Sequence, residues 1–136
     1  MNILLLLLLL CVKCLNSLKI IACKPGSLQG FYMLGISKYI VDNYNLKDTI
    51  FYGASAGAWN SLFLSLKHNH NHFLQFLEDI DTKNIDTMFN IEDIIKNYVL
   101  GTYVENDYDL YKINVCVTVI ENYKLEKTIY NNFKYL

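Results

Sequence analysis

The sequence predicts an α/β fold with a mainly parallel sheet, and three observations support this prediction. Residues 18–23 and 48–52 are apolar and β-branched, as short buried strands are. A segment with helical spacing lies between them, and an apolar helix-like segment follows at 58–66. The resulting order of strand, helix, strand and helix is typical of parallel strands joined by right-handed crossovers.

The first helix is predicted between about residues 28 and 44. Apolar side chains there recur at i, i+4, i+7 and i+8, which places them on one helix face; they are Tyr32, Ile36, Tyr39 and Ile40. Breaks are predicted on both sides of this helix, at residues 24–27 and 43–47.

The second half of the chain predicts a short amphipathic helix at 73–80 and another from an N-cap at Asn90 to about residue 98, with Gly101 just past its end. Residues 112–120 form the clearest strand, and 128–130 are expected to pair beside it as a hairpin across 122–126. A solvated acidic face is expected from Asp79, Asp81, Asp86, Glu92 and Asp93.

The composition indicates one small globular domain, placed at residues 15–136. The chain has 136 residues, 53% of them hydrophobic, with a formal net charge of −1. Such a balance gives no electrostatic reason to expect a nucleic acid partner.

The N-terminal segment has a different character. Residues 3–12 are uninterruptedly apolar, a run too short for the ~20 residues of a transmembrane helix but typical of a signal peptide. We therefore predict a signal peptide at 1–14, cleaved after Cys14, and a secreted or membrane-associated protein. An uncleaved membrane anchor and a buried strand or helix are the alternatives.

The cysteines do not predict a redox or metal site. Cys11 and Cys14 have CxxC spacing but lie in the apolar leader without a second pair. Cys23 and Cys116 lie in strand-like runs, where buried free thiols are expected, or a disulfide between them if the protein is secreted.

Three histidines, His68, His70 and His72, fall within five residues. Such a tract suggests zinc, but positions i, i+2 and i+4 do not share one helix face. We predict a polar connector there, and no metal or cofactor in the protein.

The most informative motif is Gly53-Ala54-Ser55-Ala56-Gly57, a Gly-x-Ser-x-Gly sequence between a strand and a helix. A serine on such a tight turn needs small neighbours and stands exposed at a helix N-terminus, where developing negative charge is favoured. We therefore interpret Ser55 as a nucleophile, against the alternative of an ordinary turn with a buried, hydrogen-bonded serine.

A Ser-His-Asp triad in the order used by α/β-hydrolases is excluded, because no histidine follows His72. A different arrangement is indicated by the loop at 25–30, which follows the first strand and opens the first helix. Glycine-containing loops in this position direct backbone N–H groups at an oxyanion.

Together with the Leu34-Gly35 step, this loop and the motif around Ser55 resemble the patatin-like phospholipase family over roughly residues 18–133. The resemblance implies a three-layer α/β/α sandwich and hydrolysis of acyl esters in phospholipids, neutral lipids or lysolipids, with a lipid or membrane surface as partner. It also implies a metal-free Ser–Asp dyad, in which Ser55 attacks the acyl carbonyl and an aspartate of an Asp-Gly-Gly or Asp-Gly-Ala motif acts as base. By the same resemblance, the candidate oxyanion donors are the backbone amides of Gly26, Ser27 and Leu28.

This chain departs from the family pattern at the loop and at the base. Where the family has Gly-Gly-Gly-x-Arg/Lys-Gly, the loop has Pro25, which lacks an N–H, Ser27, and Gln29, which lacks a positive charge. No aspartate after Ser55 precedes a glycine.

Two explanations therefore stay open: the chain is the front part of a longer hydrolase, or it is a short non-catalytic relative that binds lipid or a partner. A chain lacking part of its sheet is expected to be poorly stable or oligomeric. An acyltransferase is less favoured, because Ala54 stands where such enzymes carry histidine.

Overall fold

The computed structural model describes residues 18–80 and 88–131. Four strands form one sheet in the order β1-β2-β3-β4. They are β1 (Lys19–Cys23), β2 (Thr49–Gly53), β3 (Ile113–Glu121) and β4 (Lys124–Tyr130). The first three strands are parallel and β4 is antiparallel to β3, so the predicted α/β fold with a mainly parallel sheet is confirmed.

Four α-helices accompany the sheet in the described part of the chain. They are α1 (Gln29–Asn43), α2 (Ala56–Ser65), α3 (His70–Asp79) and α4 (Met88–Thr102). Two short 3-10 turns, Glu105–Asp107 and Leu110–Lys112, lead from α4 into β3. The first four predicted elements are confirmed to within about two residues.

The register aligns the carboxyl ends of the first strands. Cys23 pairs with Gly53, and Gly53 in turn pairs with Val115. In open parallel sheets this edge is where ligands bind. The turn that contains Ser55 leaves the sheet at this edge.

One face of the sheet is covered by α2. Phe51 lies on this face and is fully buried, and Gly53, two residues on, contacts α2 directly. The opposite face carries Ile20 and Ile129, whose side chains are 60% and 52% exposed. The sheet therefore presents one packed face and one accessible apolar face.

Aromatic side chains from three helices and the following loop form most of the core beyond the sheet. Phe63 and Phe73 meet edge to face at 5.5 Å between ring centroids, and Phe76 stacks on Tyr98 at 3.6 Å. Such contacts add to the burial free energy of the rings. They fix α3 and α4 against α2.

Three predictions for the second half of the chain are corrected. His70 and His72 are not in a connector but in α3, where the His70 ring packs on Phe63 and His72 Nδ1 lies 2.9 Å from the Tyr98 hydroxyl. Asn90 lies within α4 rather than at its N-cap, and Gly101 is still helical. The apolar contacts of these helices extend them beyond the ends that the local sequence indicates.

The prediction of a secreted or membrane-associated protein attached through its N-terminal segment is also corrected. Within residues 18–80 and 88–131, none of the helices combines the length and the apolarity needed to cross a membrane. The predicted signal peptide at 1–14, with Cys11 and Cys14, lies outside the described residues.

Candidate active site

Ser55 occupies the turn between β2 and α2 with a backbone conformation that L-residues rarely adopt. Its φ is 52° and its ψ is −126°. Backbone hydrogen bonds hold the turn: the Gly57 N–H donates to the Ala54 carbonyl at 2.9 Å, and the Ala58 N–H to the Ser55 carbonyl at 2.8 Å. The Ser55 side chain is exposed and caps no backbone group of the helix. The alternative of a buried, hydrogen-bonded serine is therefore wrong.

Glycine is required on both sides of this turn. A Cβ on Gly53 would overlap the backbone of Gly57 and lie 2.6 Å from the Ser61 hydroxyl. A Cβ on Gly57 would overlap the carbonyl group of Cys23 and lie 2.8 Å from that of Lys24. The missing side chains let α2 approach the ends of β1 and β2, and this approach sets the direction in which Ser55 leaves the sheet.

The predicted oxyanion loop lies next to this turn. Ser27, with a φ of 47°, and Ala56 both line a small cavity of about 50 Å³. Within the part of the chain that the structure describes, the N–H groups of Ser27, Leu28 and Ala56 donate no backbone hydrogen bond. Unpaired N–H groups at helix N-termini are suited to holding an oxyanion.

Gly26 resembles Ser27 and Leu28 in that its N–H donates no backbone hydrogen bond in the described part of the chain. Its carbonyl accepts the Gln29 N–H at 2.8 Å, and this bond closes the turn that opens α1. The structure therefore brings the predicted loop beside the predicted serine turn, with Gly26 as a structural member of the loop.

Asn60 is a residue that the sequence analysis missed. It is 1% exposed, and its amide nitrogen donates to the carbonyls of Gly30, at 3.2 Å, and Ala56, at 3.0 Å. Its Oδ1 accepts from the Ser37 hydroxyl at 2.9 Å. Asn60 thus ties the start of α1 to the start of α2. A buried asparagine inside an apolar helix was the available signal, because such a side chain needs partners.

Asp107 and Asp109 do not supply a base for Ser55. Asp109 contacts Lys112 Nζ at 2.8 Å, and its N–H donates to the carbonyl of Ser65. Ser65 lies ten residues beyond Ser55 along α2, which corresponds to about 15 Å. Asp107 contacts the His68 ring at 3.3 Å. Both aspartates therefore serve the far end of the helix.

Among the remaining acidic candidates, Asp79 and Asp93 are exposed, as expected of a solvated face. Glu92 is also exposed, and it lines the small cavity beside Ser27 and Ala56. Asp81 and Asp86 lie outside the described residues. Residues 18–80 and 88–131 contain no group of three or more side chains that could hold a metal ion.

Cys23 ends β1 beside the Ser55 turn, and Cys23 and Cys116 are both free thiols. Burial raises the pKa of the Cys23 thiol, while the neighbouring Ser61 hydroxyl acts in the opposite direction. A raised thiol pKa disfavours the thiolate that a cysteine nucleophile needs. The Cys23 thiol is therefore poorly suited to act as a nucleophile.

A larger cavity of about 820 Å³ lies between α2, α4 and β3. Its walls are mostly apolar and include Ala58, Trp59 and Leu62 of α2 and Val115 of β3. Trp59 also lines the small cavity beside Ser27 and Ala56. One side chain thus separates the oxyanion loop from an apolar volume of the size that small-molecule sites have.

Fold and site together define an α/β protein with an exposed serine on a strained strand-to-helix turn. Comparison of the chain with protein-family models, with curated proteins and with solved structures gives no match.

Proposed function

We propose that this protein is a serine acyl-ester hydrolase of the patatin-like kind, acting on lipid esters, with Ser55 as nucleophile. The observation that carries the proposal is the backbone of Ser55, which holds an exposed hydroxyl at the start of α2. A strained turn of this kind is the structural context that makes a Gly-x-Ser-x-Gly motif chemically meaningful. The three-layer sandwich of that family belongs to the same proposal.

In this reaction the Ser55 oxygen attacks the acyl carbonyl and loses its proton to a base. The N–H of Ala56 and those of Ser27 and Leu28 stabilise the resulting oxyanion. The carbonyl re-forms as the alcohol leaves with a proton, and water then hydrolyses the acyl-serine ester to release the acid and regenerate Ser55.

The base of this reaction is neither Asp107 nor Asp109, because both lie at the far end of α2. Without its base, a serine hydrolase keeps only the part of its rate that comes from the oxyanion hole and substrate binding, about 10³–10⁴ over water. We therefore expect turnover to fall to that residual level when the carboxylate that serves as base is removed.

The test is labelling of the native protein by a fluorophosphonate, with the modified peptide identified by mass spectrometry. Label on Ser55, absent in Ser55→Ala and retained in Thr118→Ala, supports the nucleophile; Thr118 is an exposed hydroxyl in β3 and the matched control. Ester hydrolysis should fall to background in Ser55→Ala with an unchanged far-UV circular dichroism spectrum. Residual hydrolysis in that variant would remove Ser55 from the mechanism.

A second candidate is a non-catalytic protein that binds lipid or a partner. It is favoured by Pro25, which cannot donate from the oxyanion loop, and by the absence of an Asp-Gly sequence after Ser55. Absence of label from folded wild-type protein in its source extract would support this candidate. A labelled band heavier than 15.8 kDa would instead show the hydrolase as part of a longer protein.

A further inference from the structure

The large cavity begins about one helical turn along α2 from Ser55. Its lining residues on α2 are Ala58, Trp59 and Leu62, which stand three, four and seven positions after Ser55. In a helix these positions form one stripe. At 1.5 Å per residue, Trp59 lies about 6 Å from Ser55 along the axis and Leu62 about 10 Å. A molecule in the cavity therefore has one end about one helical turn from Ser55.

Two charged side chains of opposite sign lie at opposite ends of the large cavity. Ile95 lines the small cavity beside Ala56, so the next residue, Lys96, enters the large cavity near its Ser55 end. Glu105 lines the other end, together with Tyr108, which bridges to Leu66 after the end of α2. The cation thus stands toward Ser55 and the carboxylate away from it.

Lys96 is available to a ligand. Its side chain is exposed, and it forms no ion pair in the two described segments of the chain. An ammonium group at the Ser55 end favours a negatively charged head there, and Glu105 opposes the reverse orientation.

We propose that this cavity binds one long hydrocarbon chain that carries an anionic head group, with the head beside Ser55 and Lys96. The chain runs along α2 toward Tyr108. The ligands of this chemistry are long-chain fatty acids and single-chain anionic lipids. The inference rests on the proposed function only in that Ser55 would act on such a ligand when it is an ester, whereas binding of the chain requires no catalysis.

The test is displacement of cis-parinaric acid, a fluorescent long-chain fatty acid, from the full chain by octanoate, decanoate and dodecanoate below their micelle concentrations. Each added methylene should tighten binding about fourfold while the cavity still has room, because each buries further apolar surface. Affinity that does not depend on chain length would overturn the proposal.

Two variants locate the ligand. Leu100 lines the cavity and is 57% exposed, so Leu100→Trp fills the cavity without disturbing the core. It should weaken dodecanoate about tenfold, the equivalent of one to two lost methylenes. The matched control is Leu125→Trp, at a 76% exposed leucine of β4. Equal effects of the two substitutions would place the ligand elsewhere.

The head group is tested by comparing dodecanoate with dodecanol. Lys96→Met should weaken dodecanoate about two- to fivefold, as expected of an exposed ion pair, and leave dodecanol unchanged. Lys127→Met on β4 is the control. If Lys96→Met weakens dodecanoate and dodecanol equally, Lys96 does not recognise the head group.

These experiments distinguish failure of the proposed binding site from failure of the proposed hydrolase. Chain-length-dependent binding without fluorophosphonate labelling of Ser55 would refute the proposed hydrolase and keep the binding site. Labelling of Ser55 without chain-length-dependent binding would refute the binding site and keep the proposed hydrolase.

Discussion

At the scale of single residues, the turn at Ser55 shows how a costly backbone conformation is maintained. A non-glycine residue with a φ of 52° costs about 1–3 kcal/mol unless its surroundings impose it. Here the hydrogen bonds of Gly57 and Ala58 close the turn from the helix side. The close approach of Gly57 to Cys23 fixes it from the sheet side. The exposed serine is thus held by its buried neighbours.

This account predicts opposite effects for two glycine-to-alanine substitutions. Gly57→Ala places a methyl group on the backbone carbonyl of Cys23, which cannot move aside, and should lower the free energy of unfolding by about 2 kcal/mol or more. Gly101 lies in α4 with open space around its Cα, where an added methyl group would meet no atom within 4 Å. Gly101→Ala should therefore raise the free energy of unfolding by about 0.5–1 kcal/mol.

Urea unfolding followed by circular dichroism measures both changes. Equal stabilities of the two variants would mean that α2 does not approach β1 as closely as described. The Gly57 variant should also lose fluorophosphonate labelling, since the turn that presents Ser55 is displaced.

At the scale of secondary-structure elements, the packing of α1 against α2 positions the loop at residues 25–30 beside the turn that contains Ser55. The helices meet closely, because a Cβ on Gly30 would lie 2.7 Å from that of Ala56. Asn60 then connects both helices by hydrogen bonds to Gly30, Ala56 and Ser37. These contacts hold the amides of the loop and of α2 at one cavity.

Because Asn60 and Ser37 share a hydrogen bond, substitutions at the two positions should not lower the free energy of unfolding independently. Asn60→Ala removes three hydrogen bonds of a buried side chain and should cost about 2–4 kcal/mol. Ser37→Ala leaves the Asn60 oxygen without its donor and should cost about 1–2 kcal/mol. The double variant should cost about 1 kcal/mol less than the sum, because both substitutions remove the same bond.

A double-mutant cycle in urea measures this coupling. Asn43→Ala is the control, since Asn43 is exposed and donates only to the Tyr39 carbonyl in its own helix. Strict additivity of the Ser37 and Asn60 substitutions would show that their hydrogen bond does not contribute to stability.

The elements differ in how well the sequence predicts them. β1, α1, β2 and α2 follow from local apolar patterns and from the polar or turn-forming residues between them. The start of α3 was missed because His70 packs on Phe63, a contact that depends on tertiary structure. The role of Asn60 was missed for the same reason, as its partner Ser37 lies in another helix. Likewise, no local pattern reveals a cavity whose walls come from α2, α4 and β3.

At the scale of the whole molecule, the aromatic core makes stability sensitive to alkaline pH. Tyr103 and Tyr108 are 8% and 7% exposed, with ring centroids 5.7 Å apart. Burial raises the pKa of both hydroxyls, and the negative charge of Asp107 adds to the increase. The Tyr108 hydroxyl has no hydrogen-bond partner among the described residues.

The sign of the pH effect follows from proton binding. A tyrosine of the unfolded chain loses its proton near pH 10, about the ordinary value, whereas the folded protein still holds it there. Between the two pKa values the folded state binds more protons than the unfolded state. Stability is therefore fully present below about pH 10 and decreases as the pH rises further.

Tyr108→Phe tests this argument. At neutral pH the variant should be as stable as the wild type or more stable, by up to about 1 kcal/mol, because the lost hydroxyl is buried without a partner among the described residues. Above about pH 10 it should lose less stability than the wild type, since one group with a raised pKa is gone. Tyr32→Phe, at a 76% exposed tyrosine of α1, is the matched control.

Urea unfolding at neutral pH and at two alkaline pH values gives the comparison. If Tyr108→Phe and the wild type lose the same free energy on alkalinisation, the Tyr108 hydroxyl ionises as freely in the folded protein as in the unfolded chain. The ring would then lie at the surface rather than against Tyr103. That result would also open the far end of the proposed hydrocarbon site to water, because Tyr108 forms part of its wall. The alkaline stability of this variant thus tests both the core and the cavity beside it.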